Sequence, residues 1–364
     1  MKHHYTFSKY ILKSFSLWFS IVLSSFSVII LLFTLLELLR KNQSYNQVKF
    51  LKILAISFLR LPGILDQLFP FLILFSTMLM LWHLHRRSEL IVVRAAGFSI
   101  WGILSPIIVF ISIYSLLYLI VLNPLISSTE AASEQLSNKL LGKPKNLLSL
   151  SKGGIWLKDS HDDDYSILHG ESISNDSKTL DKVTIYNFDD KGNFISRLDS
   201  PQVQIQSGKW ILKSPFLSES NDLMRPIGDQ PWKTDLTLEK LQKSFDPPAS
   251  ISVWKLPNFI RLMENAGFSG TEHRLYLYTL ITKPFLLISM LFLGGIVAFS
   301  TLRQRNSFFF VSTGISLGFL LYLLHHILHI LGSSLTIPLL VSALIPTIVV
   351  VLASLALLIH LEEG

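Results

Sequence analysis

Cysteine is absent from the 364 residues, which removes thiol chemistry and disulfides and leaves the compartment open. Charge is scarce as well: 16% of residues are Asp, Glu, Lys or Arg, against about 25% in ordinary soluble domains. No G-x-x-x-x-G-K-[ST] run occurs, so hydrolysis of ATP through that phosphate-binding loop is excluded, and H-E-x-x-H is missing too. What is abundant is apolar: half of the residues are hydrophobic and mean hydropathy is positive. The composition is that of a membrane protein.

Formal net charge is +7, unevenly spread. Residues 124–272 hold 17 Lys/Arg against 20 Asp/Glu, and the rest of the chain holds 15 against 5. A mildly acidic module is thus inserted into a basic membrane body. Because the positive charges lie beside apolar runs, anionic lipid and not nucleic acid is the partner they suit. A spanning helix needs about 20 apolar residues, and six runs qualify: 14–36, 61–82, 101–122, 276–300, 307–330 and 336–360. The start, Met1-Lys2-His3-His4, is followed by an apolar run without a cleavage site, so the first span reads as retained. Asn123-Pro124 is expected to end the third run, since proline disfavours helix continuation.

Between spans three and four the period changes to two. Ile155/Leu157, Val183/Ile185, Val203/Ile205 and Trp210/Leu212 alternate with polar residues, and Asp190-Lys191-Gly192-Asn193 and Ser207-Gly208 punctuate them. That pattern predicts an antiparallel β sandwich or jelly roll. The fold class is therefore an α-helical polytopic membrane protein of six transmembrane helices with an inserted, jellyroll-like all-β domain. Its expected parts are residues 1–123, 124–272 with flanking connectors, and 273–364.

Short-loop cations give the orientation. An inside N-terminus gathers Lys2, Lys9, Lys13, Arg86, Arg87, Arg94, Arg303 and Arg305 in the cytoplasm and leaves Arg40, Lys41, Lys49, Lys52 and Arg60 outside. Eight against five favours both termini inside and the β domain outside. The five outer cations run against the usual bias. They read either as snorkelling side chains or as a rim that binds an anionic lipid headgroup, each charge contributing about 1 kcal/mol near an anionic surface.

Three polar features lie within the spans. His325, His326 and His329 include an i,i+4 pair but have no carboxylate in the same span, so packing or a polar lining is expected in place of a metal site. Asp66 is placed near the outer interface as a solvated residue, with an intramembrane relay as the alternative. Lys283, costly inside a span at about 3 kcal/mol, faces the bundle interior or snorkels.

The connection between spans two and three carries Ser88-Glu89-Leu90-Ile91-Val92-Val93-Arg94-Ala95-Ala96-Gly97. Ser88 reads as an N-cap, Glu89 and Arg94 complement the helix dipole, and Gly97 stops the helix. A helix of about eight residues, some 12 Å long, is predicted, with Leu90, Val93 and Gly97 on one face. Two readings stay open: a helix resting on headgroups, or one docked in a cleft of a cytoplasmic ATPase.

Arg87-Ser88-Glu89-Leu90 followed by Ala96-Gly97-Phe98 resembles the cytoplasmic loop of the lipopolysaccharide-export permeases, the LptF/LptG family. Leu59 to Pro62 leading into Phe69-Pro70 fits the same family, as do the helix count and the β domain after span three. The stretches Pro231-Trp232-Lys233-Thr234-Asp235-Leu236-Thr237, with Leu241, and Val311-Ser312-Thr313-Gly314-Ile315-Ser316-Leu317-Gly318-Phe319 are similar to its LptG branch. The resemblance implies a permease subunit of an inner-membrane ABC transporter, with no catalytic residue, metal or cofactor of its own. It implies as partners an LptF-type permease, two LptB-type ATPases and an LptC-type protein, with lipopolysaccharide as substrate. Residues 87–97 then form the coupling helix, in which Arg87, Ser88, Glu89, Leu90, Arg94 and Gly97 meet the ATPase. Arg40 and Lys41 match the family's basic pair at the outer end of span one. Thr34 and Gly63 stand where the family can carry basic residues, and Lys52 and Arg60 are expected to compensate. The sibling LptF branch is the near alternative, disfavoured by Trp232-Lys233-Thr234. A secondary transporter would instead need a midplane ion site and inverted repeats, and an intramembrane metalloenzyme would need metal on the span-five histidines.

Overall fold

The computed structural model describes residues 2–43, 49–140, 148–151, 154–161, 164–174, 179–189, 192–206, 209–219, 224–234, 237, 241, 245–301 and 307–363. Two compact units are present: residues 1–141, 249–254 and 274–364 form one, and residues 142–248 and 255–273 the other.

The first unit is helical: α1 (Lys2–Gln43), α2 (Phe50–Arg86), α3 (Glu89–Ala95), α4 (Ile100–Leu117), a π-turn (Tyr118–Leu122) and α5 (Asn123–Leu140). After the second unit's helix α6 (Leu256–Asn265) come α7 (Thr271–Thr301), α8 (Ser307–Ser333) and α9 (Leu339–Glu363). Six helical stretches among the described residues are long and apolar enough to cross a membrane, so the chain is a multi-pass membrane protein. The third stretch, Ile100–Lys139, does not stop at Pro124. Pro124 directly follows the π-turn inside this stretch: without an N–H it cannot donate to the turn before it, and the local change from α to π bonding carries the helix past it.

α2 and α7 form the centre of the bundle, while α1 and α8 are the most exposed. Leu74, Met78, Leu104, Ile107, Leu287, Leu291 and Val297 are buried in one apolar cluster. A Cβ added at Gly294 would lie 2.8 Å from the Leu74 carbonyl oxygen, so the backbones of α2 and α7 approach as closely as a glycine permits. The exposed faces of α1 (Val28, Ile29, Leu32, Phe33) and α8 (Ile315, Phe319, Leu320) are apolar, as hydrocarbon surroundings require.

The second unit contains an antiparallel sheet ordered β1 (Leu148–Ser151), β2 (Gly154–His161), β3 (Asp164–Gly170), β5 (Thr179–Phe188), β6 (Phe194–Gln206), β7 (Lys209–Lys213) and β10 (Gln230–Lys233). β4 (Ser172–Ser174) pairs with β5, and β8 (Phe216–Glu219) pairs with β6 and β9 (Arg225–Pro226). The long strands β5 and β6 pair with each other, and the outer edge of each is divided between two further strands: β3 and β4 for β5, β7 and β8 for β6. One part of β6 pairs with β8 through Ser196–Asp199 and the other with β7 through Gln202–Gln206. Pro201 separates them, and Lys182, at φ 49°, interrupts β5 at the corresponding level.

All eight residues of the period-two pairs, from Ile155 to Leu212, are buried in one core, which Met263, Ala266 and Phe268 complete. Trp210 is fully buried opposite Trp232, their rings 5.7 Å apart and edge-on. Beside them the Thr234 hydroxyl donates to the buried Asp159 carboxylate at 2.7 Å. Thr234→Val keeps the shape and removes that charge-assisted bond. It is expected to lower the unit's stability by about 1.5–3 kcal/mol, read from its thermal unfolding midpoint.

Candidate functional site

The α2–α4 connection folds as a helix, though by different caps from those expected. α3 spans seven residues. Ser88 occupies its N-cap position at φ 59° and makes no side-chain cap bond, so its assignment as a capping residue is corrected. The cap belongs to Ser99, whose Oγ accepts the Gly102 N–H at 3.0 Å and starts α4. Gly97 does stop α3: at φ 86° it lets its own N–H reach the Arg94 carbonyl and the Phe98 N–H reach the Val93 carbonyl, closing a Schellman motif.

Leu90 is buried and Val93 half-buried against the main apolar cluster, which fixes the inward face of α3. Ile91, Val92 and Arg94 are exposed. Glu89 accepts a hydrogen bond from the Tyr10 hydroxyl of α1 at 2.5 Å, and Arg87 lies 4.0 Å away. The Phe7 and Phe98 rings, 4.5 Å apart, make a second link to α1. Tyr10 carries no local sequence signal for this role, because its partner is 79 residues away. A short helix thus presents an oriented carboxylate beside an apolar pair that has no use within the described chain.

At the opposite end of the spans, the ends of α1 and α5 and the start of α2 share a small cluster of Leu38, Ile53 and Ile56 with Leu35, Leu39 and Leu136. Arg40, Lys49 and Lys52 are exposed here. The side chain of Lys41 lies outside the described residues. Arg60 stands apart: it is half-buried and donates to Ser133 Oγ at 3.2 Å and Ser137 Oγ at 3.5 Å on α5. Thr34 is buried. Gly63 faces Glu130, whose Oε2 is buried without a hydrogen-bond partner and would lie 2.6 Å from a Cβ at position 63.

The polar residues within the spans also found places. Asp66 is not a solvated interfacial residue. It pairs with Lys283, and both side chains are only about a tenth exposed. Lys283 faces the interior, one of its two expected placements. On α8, His326 stacks on Tyr322 with ring planes 6° apart, and the rings of His325 and His329 are 6.4 Å apart. No group of three or more metal-ligating residues is assembled among the described residues.

Comparison with known proteins gives one consistent result. The model of a family described as lipopolysaccharide export system permease LptF/LptG matches residues 9–360. Lipopolysaccharide export system permease protein LptG of Haemophilus influenzae is 27% identical over 303 residues, 80% of each chain. The protein of the same name from Escherichia coli K12 is 26% identical over 313 residues, 83% of this chain and 84% of its own.

Proposed function

Because the chain belongs to the LptF/LptG family of lipopolysaccharide export permeases, we propose that it is the LptG-type subunit of an ATP-driven complex in the inner membrane. The family role makes it a permease subunit of lipopolysaccharide export. The LptG assignment is supported by the names of both relatives. In this reading both termini are cytoplasmic, residues 124–272 lie in the periplasm, and the chain pairs with an LptF-type permease, two LptB-type ATPases and an LptC-type protein.

The carrying observation is α3. It is rigidly stopped, anchored inside by Leu90 and Val93, and presents the half-buried Glu89 beside the exposed Ile91, Val92 and Arg94. An apolar pair next to an oriented charge suits a cleft in a cytoplasmic ATPase, the apolar contact supplying affinity and the charge register. Arg87, Ser88 and Gly97 frame that surface. Closure of the ATPase on its nucleotide pushes α3 and through it α1 and α2. The spans then squeeze the lipid upward, and the apolar inner face of the β unit receives its acyl chains. Hydrolysis is the partner's chemistry; this chain supplies binding and motion.

At the outer end, Arg40, Lys41 and Lys52 form the rim for the lipid's phosphates. Arg60 shares the rim through its position while its guanidinium is held by Ser133 and Ser137. The double replacement Arg40→Ala, Lys52→Ala is expected to weaken lipopolysaccharide binding by about 2 kcal/mol, roughly thirtyfold. Arg60→Ala should cost less affinity and more helix packing. Unchanged affinity in R40A/K52A, measured on the detergent-purified complex, removes the rim from the account.

The complex itself is tested by affinity purification in mild detergent. Recovery of a small ATPase together with a second six-span permease supports the reading. A chain that purifies alone, under conditions that preserve export activity, contradicts it.

A further inference from the structure

Asp66 precedes Pro70 by four residues on α2. In an unbroken helix the carbonyl of Asp66 would accept the N–H of residue 70, and proline has none. A spanning helix cannot leave such an acceptor to water, so another group must satisfy it. The group is the ammonium of Lys283 on α7, which donates to the Asp66 carbonyl at 3.2 Å. The same Nζ donates to Asp66 Oδ1 and, at 3.0 Å, to the Tyr118 hydroxyl. It also lies 4.2 Å from the centroid of the Tyr118 ring. An ammonium has three donors, and all three are used. Tyr118, buried where the π-turn begins, in turn donates to Asp66 Oδ2 at 2.9 Å.

The node joins three elements at a stated register. Apolar helices in a bilayer pack through contacts that permit sliding, since lipid is as apolar as their partners. Directional bonds do not permit it: a shift of one residue along α7, about 1.5 Å, takes Nζ out of reach of its acceptors. Three turns further along α7, Gly294 rests on the Leu74 backbone and continues the same seam. α2 runs on from the node to Arg86, where α3 follows.

We infer that Lys283 and Asp66 are positioning residues for export: they weld α7 to α2, so that displacement of α3 is delivered to the second half of the membrane unit. This rests on the reading of α3 as the ATPase-coupling helix. Without the node, α2 moves and α7 lags, and ATP is hydrolysed without lipid being expelled.

The test uses the whole complex in proteoliposomes and reads lipopolysaccharide released per ATP hydrolysed. D66N/K283M removes the ammonium without leaving a lone carboxylate in the bundle. It is expected to assemble normally and to hydrolyse ATP within about twofold of the unmodified complex, yet to release about tenfold less lipid per ATP. D66N/K283Q, which returns an N–H donor to the orphaned carbonyl, should recover about half or more of that loss. An unchanged ratio in D66N/K283M overturns the inference. So does a fall in assembled complex that accounts for all of its lost export, because that is a folding role alone. Both outcomes leave the coupling role of α3 standing; that reading fails separately, if Glu89→Lys keeps the ATPase bound.

Discussion

Glu89→Lys is expected to strip the ATPase from the purified complex while leaving the β unit folded. Glu89 is held by the Tyr10 hydroxyl and flanked by Arg87 and Arg94. Reversal removes the acceptor for Tyr10 and leaves the exposed surface of α3 with only positive charge. A basic group in the ATPase cleft that faces Glu89 then meets a like charge. Loss of one partner of a desolvated interfacial charge pair costs about 2–5 kcal/mol, and dissociation accelerates accordingly. The affinity of the ATPase should therefore fall by roughly thirtyfold or more. Glu89→Gln keeps an acceptor for Tyr10 and should fall between the two. Co-purification and ATPase activity at a range of protein concentrations read the effect. The unfolding midpoint of the β unit should stay constant, since α3 belongs to the other compact unit. A Glu89→Lys complex that assembles and exports normally returns α3 to being a connector.

Trp210→Ala is the second large effect, and it should fall on the β unit alone. Trp210 is fully buried, faces Trp232 across the β7–β10 ladder and sits in the core with Ile205, Leu212 and Met263. Removing a buried indole costs about 3–5 kcal/mol, part lost transfer energy and part cavity. A typical domain has only about 5–15 kcal/mol to lose. The unit should unfold at a markedly lower temperature, with the near-ultraviolet signal of its aromatic residues lost first, while far-ultraviolet helix content persists. Export should fail with it under the proposal that the β unit receives the lipid. A destabilisation below about 1 kcal/mol would mean that the site repacks and that the core is not as closely filled as the structure shows.

These two sites also mark how far the sequence could be read. The β core was legible because period two survives in each strand: Ile155/Leu157, Val183/Ile185, Val203/Ile205 and Trp210/Leu212 all point inward. The six spans were legible from apolar length alone. Punctuation was less so. Ser88 reads as a cap from the sequence, yet Ser99 is the serine that caps, because capping depends on φ and on which N–H comes within reach, and Ser88 is left-handed. Pro124 reads as a stop, but the helix passes it by widening into a π-turn just before it, and a π-turn has no strong residue signature.

Long-range polar contacts were the least legible. Asp66 and Lys283 are 217 residues apart, so no local pattern joins them. One clue was present: Pro70 lies four residues after Asp66 and orphans its carbonyl inside a span, which requires a donor from elsewhere. Tyr10 is a similar case. Its hydroxyl identifies itself only once α1 and α3 are seen side by side. Charge alone makes the outer rim one group, and burial separates Arg60 from the exposed Arg40 and Lys52.

The central claim, that this chain moves lipopolysaccharide with power drawn from a separate ATPase through α3, is tested most directly in proteoliposomes. The co-purified complex is reconstituted with lipopolysaccharide, and release to a soluble acceptor is followed with and without ATP. The account predicts release that requires ATP and is abolished by Glu89→Lys in this chain. Release that proceeds at the same rate without ATP, or with Glu89→Lys in place, would contradict it.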